Sequence, residues 1–109
     1  MNKLIPVATV LLTTATLSWA GNPIPAYENY CASCHGNDGK GQTKAGRKAG
    51  AKDLTDKAHQ ASFTDEEAFK SIKEGMKATN GKEKMKPFGD KVTDEEIQTL
   101  IAYIRTFAQ

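Results

Sequence analysis

The sequence predicts an all-α domain, because it contains two amphipathic segments and no strand pattern. Each segment begins with Thr-Asp-Glu-Glu, at 64–67 and again at 93–96. In this sequence the Thr side chain can cap a helix while the second Glu reaches back to the Thr backbone. No stretch alternates apolar and polar residues between hairpin turns, so we expect no β-sheet. The 109 residues suffice for one compact domain.

Composition narrows the class of protein. Apolar residues make up 39% and charged residues 26% of the chain. This balance is typical of a soluble globular protein and excludes collagen, low-complexity disorder and a polytopic membrane protein. The formal net charge is only +2. Nucleic-acid binding needs a concentrated basic surface, so we expect no nucleic-acid partner.

The first twenty residues read as a secretory signal peptide. A positive start at Lys3 precedes a mostly apolar stretch, and Ala20 offers a small residue at the cleavage point before Gly21. The alternative is a membrane anchor, but the stretch is interrupted by Thr and Ser and is shorter than the ~20 apolar residues that a bilayer requires. We therefore expect residues 1–20 to be removed, residues 21–109 to form the mature domain, and the protein to be periplasmic without stable membrane insertion.

The mature chain divides into helices separated by loops. Pro23 and Pro25 can open a short helix through Cys31, since proline suits a first helical turn. The glycines that follow, within 36–41, predict a loop. The stretch 42–60 is polar and basic, which predicts no regular element. A helix then follows Thr64 and ends at Gly75.

The last helix has the clearest pattern in the chain. After the cap at Thr93, apolar residues recur at helical spacing and form one stripe. These residues are Ile97, Leu100, Ile101, Ile104 and Phe107. The stripe predicts a C-terminal helix that packs its apolar face on the core.

The chemistry of the chain is concentrated in Cys31-Ala32-Ser33-Cys34-His35. On a helix, residues three and four apart share one face, so both thiols and the imidazole lie together. Two thiols so spaced can form thioether bonds to the two vinyl groups of haem, while the imidazole reaches the iron. Cys-x-x-Cys-His is the attachment signature of haem c. We therefore expect one haem c, covalently bound through Cys31 and Cys34.

Two other functions are compatible with the cysteines alone. A thioredoxin-like thiol–disulfide protein would use Cys31 and Cys34 as a redox pair, but such folds need strands that the sequence does not show. A structural zinc site requires four nitrogen or sulfur ligands. Beyond the Cys-x-x-Cys-His motif the only candidate is His59, in a polar stretch. Both alternatives are weaker than haem attachment.

The second axial ligand of such a haem has several candidates. Met85, Met76 and His59 are available, and the position could also be vacant. Met85 lies in a segment stiffened by Pro87 and Gly89, which suits presentation of a thioether from a loop. Met76 directly follows the predicted end of a helix, where a Met is expected to pack in the core or against the helix end. We favour Met85, with Met76 as the alternative.

The chain from Tyr27 to Phe107 resembles the small class I bacterial cytochromes c of the c6/c-553 kind. The resemblance is carried by Cys31–Gly36, by Lys52–Thr55 and by the segment from Met85 to Arg105. It implies a small cytochrome c fold, with helices packed around one covalently attached haem. It also implies that an N-terminal aromatic residue crosses the C-terminal helix.

The resemblance further implies site residues and a function. His35 would be the proximal and Met85 the distal ligand, and Tyr27 would meet Leu100 and Tyr103 at the crossing. With both axial positions filled, the iron has no open site, so we expect a monomeric electron shuttle and not an enzyme. The alternative is a haem enzyme or gas sensor with a labile or absent sixth ligand.

Basic residues follow His35 in the chain and also lie close to Met85, and they suggest the kind of partner. They form a basic rim that would steer docking to a redox protein with an acidic surface, although solvated lysines that serve solubility would look the same. The rim consists of Lys40, Lys44, Arg47, Lys48, Lys52, Lys77, Lys82, Lys84 and Lys86.

Overall fold

The computed structural model describes residues 22–109, so the predicted signal peptide at 1–20 lies outside the described residues. The described chain is mostly helical, which confirms the predicted fold class. In chain order the elements are α1 (Ile24–Ala26), a π-helical segment (Tyr27–Cys31), α2 (Ala32–His35), α3 (Lys44–Ala49), α4 (Lys57–Ala61), α5 (Asp65–Glu74), strands β1 (Met76–Lys77) and β2 (Glu83–Met85), and α6 (Asp94–Arg105).

The first three elements form one continuous helix that contains the cysteine motif. Pro23 caps the helix, and Pro25 lies in its first turn, where a missing N–H costs nothing. The helix widens where the Ala32 N–H bonds to the Tyr27 carbonyl, and it ends at Gly36, whose φ of 79° breaks the helical path. The predicted start is confirmed, and the helix continues through His35.

The expectation of an irregular segment at 42–60 is wrong, because α3 and α4 both lie there. Each is a short helix with its own side-chain cap. The Thr43 hydroxyl accepts from the Gly46 N–H, and the Asp56 carboxylate accepts from the Ala58 N–H. Both helices lie mostly at the surface and bury few apolar side chains, so they carry no apolar stripe by which the sequence could reveal them.

The expectation of no sheet is wrong for one short hairpin. Strands β1 and β2 pair antiparallel, with Met76 opposite Met85 and Lys77 opposite Glu83, and the register shifts between the two pairs. Strands of two and three residues are too short to show an alternating pattern. The hairpin inserts between α5 and α6 and carries both candidate methionines.

The two predicted capping boxes are confirmed. In α5 the Thr64 hydroxyl accepts from the Glu67 N–H at 3.0 Å, and the Glu67 carboxylate accepts from the Thr64 N–H at 3.1 Å. Thr93 and Glu96 make the same reciprocal pair at the start of α6. Both helices therefore begin at the residue that the sequence predicts.

The core lies between α6 and the first helix, with α5 packed against α6. Tyr27 is 1% exposed, and its ring centroid lies 5.2 Å from those of both Tyr103 and Phe107. This contact confirms the predicted crossing of an N-terminal aromatic residue over the C-terminal helix. Ile97 and Leu100, from the predicted apolar stripe, are the other side chains that are fully buried.

The end of α6 is tied to the middle of the chain by hydrogen bonds. Arg105 donates to the side-chain oxygen of Gln60, to the Phe63 carbonyl and to the Asp65 carboxylate, each at 2.9 Å. The buried Gln60 amide donates in turn to the carbonyls of Leu54 and Ile104. Within residues 22–109, no helix is long and apolar enough to cross a membrane.

Candidate functional site

The cysteine motif lies on the last turn of the first helix. Cys31 is buried at the junction of the π-helical segment and α2, while Cys34 and His35 are half-buried in α2. Neither thiol is in a disulfide. The structure therefore brings the three predicted site residues of the motif together on one helical turn.

The environment of Cys31 argues against thiol–disulfide exchange. Burial, and then the neighbouring Cys34, raise the pKa of the Cys31 thiol to about 12. A reactive cysteine of the thioredoxin kind has a lowered pKa, because the thiolate is the nucleophile. Within residues 22–109, no group of three His, Cys, Asp or Glu side chains is placed to hold a metal ion.

The ring of His35 is oriented by a backbone carbonyl. Its Nδ1 lies 3.2 Å from the carbonyl oxygen of Lys52. A carbonyl can only accept, so Nδ1 carries the proton and Nε2 keeps its lone pair. Burial lowers the pKa of His35, which favours the neutral ring. A neutral imidazole with a free Nε2 is the form that binds a metal.

Glycines bring the loop after the motif close to this imidazole. The Gly41 N–H bonds to the His35 carbonyl at 2.8 Å, and Gly41 has a φ of 68°. A Cβ at Gly41 would lie 2.7 Å from the Ala51 carbonyl oxygen and 3.1 Å from that of Lys52. Only glycine has both the conformation and the clearance that this approach requires.

Helix α3 packs directly against the cysteine turn. The Thr43 hydroxyl lies 2.7 Å from the Ser33 carbonyl oxygen and 2.9 Å from that of Cys34. The backbone of Gly46 lies so close to the Cys34 carbonyl that a Cβ there would overlap it. The far side of the turn is held by Tyr27, whose hydroxyl donates to the Gly36 carbonyl at 2.7 Å.

Met85 is half-buried at the end of β2 and packs against the core. The backbone a few residues after it is bound to the end of α5. The Phe88 N–H bonds to the Ile72 carbonyl and the Gly89 N–H to the Lys73 carbonyl. Gly75 packs on the same segment, because a Cβ there would lie 2.6 Å from the Met85 carbonyl oxygen. The thioether is thus presented from a rigid segment.

The other two candidates have different surroundings. Met76 is 45% exposed, so of the two expected positions it is not in the core; it begins β1 directly after the end of α5. As the cross-strand partner of Met85, it lies on the same face of the hairpin, a proximity that the sequence does not show. His59 is half-buried in α4, with its ring centroid 5.2 Å from that of Phe63.

Part of the basic rim lines one cleft. This cleft of about 510 Å³ lies between the end of α3 and the tip of the β-hairpin. Its cations are Arg47, Lys48, Lys82 and Lys84, and its only carboxylate is Glu83. The ion pairs of the described residues, Lys73–Asp94 and Arg105–Asp65, lie elsewhere. The sequence reveals the charges, but only the fold brings these two basic segments face to face.

The donor set fits haem c. Two unpaired thiols, an imidazole with a free Nε2 and a half-buried thioether are the groups that attachment and axial ligation require. Sequence reasoning places Lys52 in the basic rim but misses the role of its backbone carbonyl, which lies against the His35 ring. No side-chain pattern marks such a role.

Comparisons with known proteins agree with this chemistry. Residues 24–104 match the family model described as "Cytochrome C oxidase, cbb3-type, subunit III". A solved structure titled "KustC0563 c-type cytochrome" is 33% identical, with a TM-score of 0.69, and the match covers 80% of this chain and 98% of that one.

A tyrosine-to-phenylalanine mutant of Kustc0563 is also 33% identical, with a TM-score of 0.66, covering 78% of this chain and 96% of that one. No curated protein sequence matches the chain significantly.

The close approach at Gly41 can be tested with a matched pair of variants. Gly41→Ala and Gly50→Ala both place an alanine at positive φ, at a cost of roughly 1–2 kcal/mol each. A Cβ at Gly50 meets nothing within 4 Å. We expect Gly41→Ala to lose a further ~1–3 kcal/mol of unfolding free energy through overpacking, measured by urea denaturation. Equal losses in the two variants would contradict the close packing at Gly41.

Proposed function

Because the chain belongs to this family of c-type cytochromes, we propose that it carries single electrons between redox proteins in the periplasm through one haem. The observation that carries the proposal is the helical turn of Cys31, Cys34 and His35, with the His35 Nδ1 bonded to the Lys52 carbonyl. When bound, haem supplies an iron that exchanges one electron between Fe(II) and Fe(III).

The cysteine turn supplies the covalent anchors. Cys31 and Cys34 would each hold the haem by adding the S–H bond of the thiol across one vinyl group, which consumes no oxidant or reductant. The buried position of Cys31 and the close approach of α3 leave the turn little freedom. His35 then offers Nε2 to the iron, and its hydrogen bond to Lys52 holds the ring in that orientation.

Met85 is the residue that we propose for the sixth position. Its support is the rigid presentation described above, with hydrogen bonds from Phe88 and Gly89 to the end of α5. Ligation of a haem iron by Met85 together with His35 would raise its reduction potential. With both residues bound, the iron would have no position left for a substrate. The protein is on this basis an electron carrier and not an enzyme.

A haem enzyme or gas sensor would need an open position and an acid–base group beside it. His59 is the only other histidine. The His59 ring, on α4, packs against the ring of Phe63, which indicates a packing role. No specific observation favours this second function over electron transfer.

The basic rim supports a redox partner with an acidic docking surface. Exposed cations attract an acidic partner over a Debye length of about 8 Å at physiological salt. Four of them face one another across the cleft between α3 and the hairpin tip, where only Glu83 opposes them. Such an arrangement favours fast association without the burial of ion pairs, which suits a brief electron-transfer encounter.

The first prediction concerns the cofactor. We expect acid–acetone extraction of the protein produced in a periplasm to leave one haem per chain on the polypeptide, because thioether bonds survive acid. Cys31→Ser and Cys34→Ser should each leave a single thioether and a shifted absorption band of the reduced form. A colourless protein with a Cys31–Cys34 disulfide would overturn the proposed function.

The second prediction concerns the sixth ligand. Met85→Ala should abolish the red charge-transfer band between thioether and iron in the oxidised protein, and should let the reduced protein bind carbon monoxide. Met76→Ala is the matched control, because Met76 is the cross-strand partner of Met85 and should leave the band unchanged. The reverse result would transfer the ligand role to Met76.

The third prediction concerns the basic rim. We expect the rate of oxidation by ferricyanide, an anion, to fall as salt rises, and the rate with a cationic ruthenium ammine to show the opposite trend. Lys84→Glu should slow the ferricyanide reaction more than Lys70→Glu, since Lys84 lines the cleft and Lys70 lies on α5. Equal rates for both variants would mean that these lysines are only solvated surface.

A further inference from the structure

We infer that Thr43 is a positioning residue for Cys34 and for the start of His35. Its hydroxyl lies 2.7 Å from the Ser33 carbonyl oxygen and 2.9 Å from the Cys34 carbonyl oxygen, so it donates to the two peptide groups that flank Cys34. The inference rests on the proposed function, because it takes Cys34 as a haem anchor and His35 as the iron ligand.

The carbonyls of Ser33 and Cys34 lie at the end of a helix, where the helix itself provides no further N–H donors. The helix ends at Gly36, whose φ of 79° turns the chain away, so the N–H groups four residues further on do not continue the helical pattern. The next carbonyl, that of His35, accepts from the Gly41 N–H at 2.8 Å. Thr43 therefore supplies the donor that the last turn of the motif needs.

Helix α3 brings this hydroxyl to the motif. Thr43 is the N-cap of α3, and its side-chain oxygen also accepts from the Gly46 N–H at 2.9 Å. Gly46 is buried, and a Cβ there would overlap the Cys34 carbonyl, so the first turn of α3 packs directly on this carbonyl. One side-chain oxygen thus accepts from α3 and donates to the motif, which joins the start of one helix to the end of the other.

The two acceptors belong to the peptide groups on either side of the Cys34 Cα. Because peptide groups are planar, the backbone of a residue has only two soft dihedral angles, φ and ψ. The Ser33 carbonyl is part of the peptide group before Cys34, and the Cys34 carbonyl is part of the one that joins it to His35. Hydrogen bonds from one hydroxyl to both oxygens restrain both angles. They therefore restrain the direction of the Cys34 side chain, and a displacement of about 1 Å matters for a bond between positioned groups.

Substitutions at Thr43 separate this donation from the capping of α3. Thr43→Val keeps the shape of the side chain and removes both roles, whereas Thr43→Ser keeps both. Thr43→Asp keeps an oxygen that caps α3 by accepting from the Gly46 N–H, but an ionised carboxylate cannot donate to the motif. Thr64→Val is the matched control, because the Thr64 hydroxyl caps α5 by accepting from the Glu67 N–H at 3.0 Å, and this partner lies outside the motif.

The experiment measures two properties of the haem-loaded variants by NMR at neutral pH. One is hydrogen exchange of the Gly36 amide in the reduced protein, whose N–H bonds to the Ala32 carbonyl at 2.8 Å. The other is the resonance position of the Cys34 β-protons in the oxidised protein, which the unpaired electron of the iron shifts according to their location. In Thr43→Val and Thr43→Asp we expect exchange to be roughly two- to tenfold faster, as for the loss of one hydrogen bond, and the Cys34 resonances to move. Thr43→Ser and Thr64→Val should match the parent in both properties.

The inference is wrong in any of three cases. They are parent-like exchange and resonances in Thr43→Val, a change in Thr43→Val that Thr43→Asp does not share, and equal changes in Thr64→Val. The second result would leave Thr43 only its capping role, and the third would reduce the effect to a general loss of stability. If Thr43→Val does not fold, Thr43→Asp decides alone, since it keeps the cap. Failure of the proposed function is distinguishable, because the parent protein would then lack covalent haem.

Discussion

The contact of Tyr27 with the C-terminal helix is the interaction on which the rest of the structure depends. The ring packs between Tyr103 and Phe107, and the hydroxyl donates to the Gly36 carbonyl, just past the cysteine turn. One side chain therefore joins the hydrophobic core to the backbone of the functional motif. Because Tyr27 is almost fully buried, the motif cannot move relative to α6 without opening the core.

The contacts that hold the His35 ring come from main-chain atoms, which explains why the sequence around them is polar and contains glycine. Glycine at 41 lets two stretches of main chain approach each other, and the Lys52 carbonyl that faces the imidazole belongs to an exposed lysine. Polar, glycine-containing sequence is ordinarily a sign of a mobile loop. Here the same composition allows close main-chain contacts. The caps at Thr43 and Asp56 begin two short helices, α3 and α4, which order the rest of this segment.

The segment that carries Met85 is held in a different way. Met85 lies on a hairpin strand that is pinned to the end of α5 through Phe88 and Gly89, so its position depends on a helix that begins at a capping box. The tip of the same hairpin carries Lys82 and Lys84 to the cleft. The hairpin thus carries both the residue that we propose as a ligand and part of the surface that we propose for docking.

The sequence by itself determined the local chemistry. Cys31, Cys34 and His35 share a helical turn because of their spacing, and both capping boxes and the stripe on α6 follow from side chains a few residues apart. These features depend on short-range geometry, which a sequence states directly. The tertiary structure alone decided which main-chain oxygen faces His35, that Met76 lies opposite Met85, and that two basic segments share a cleft. Those pairings join residues far apart in the chain. They arise from chain reversals and backbone contacts, which produce no periodic pattern of side chains in the sequence.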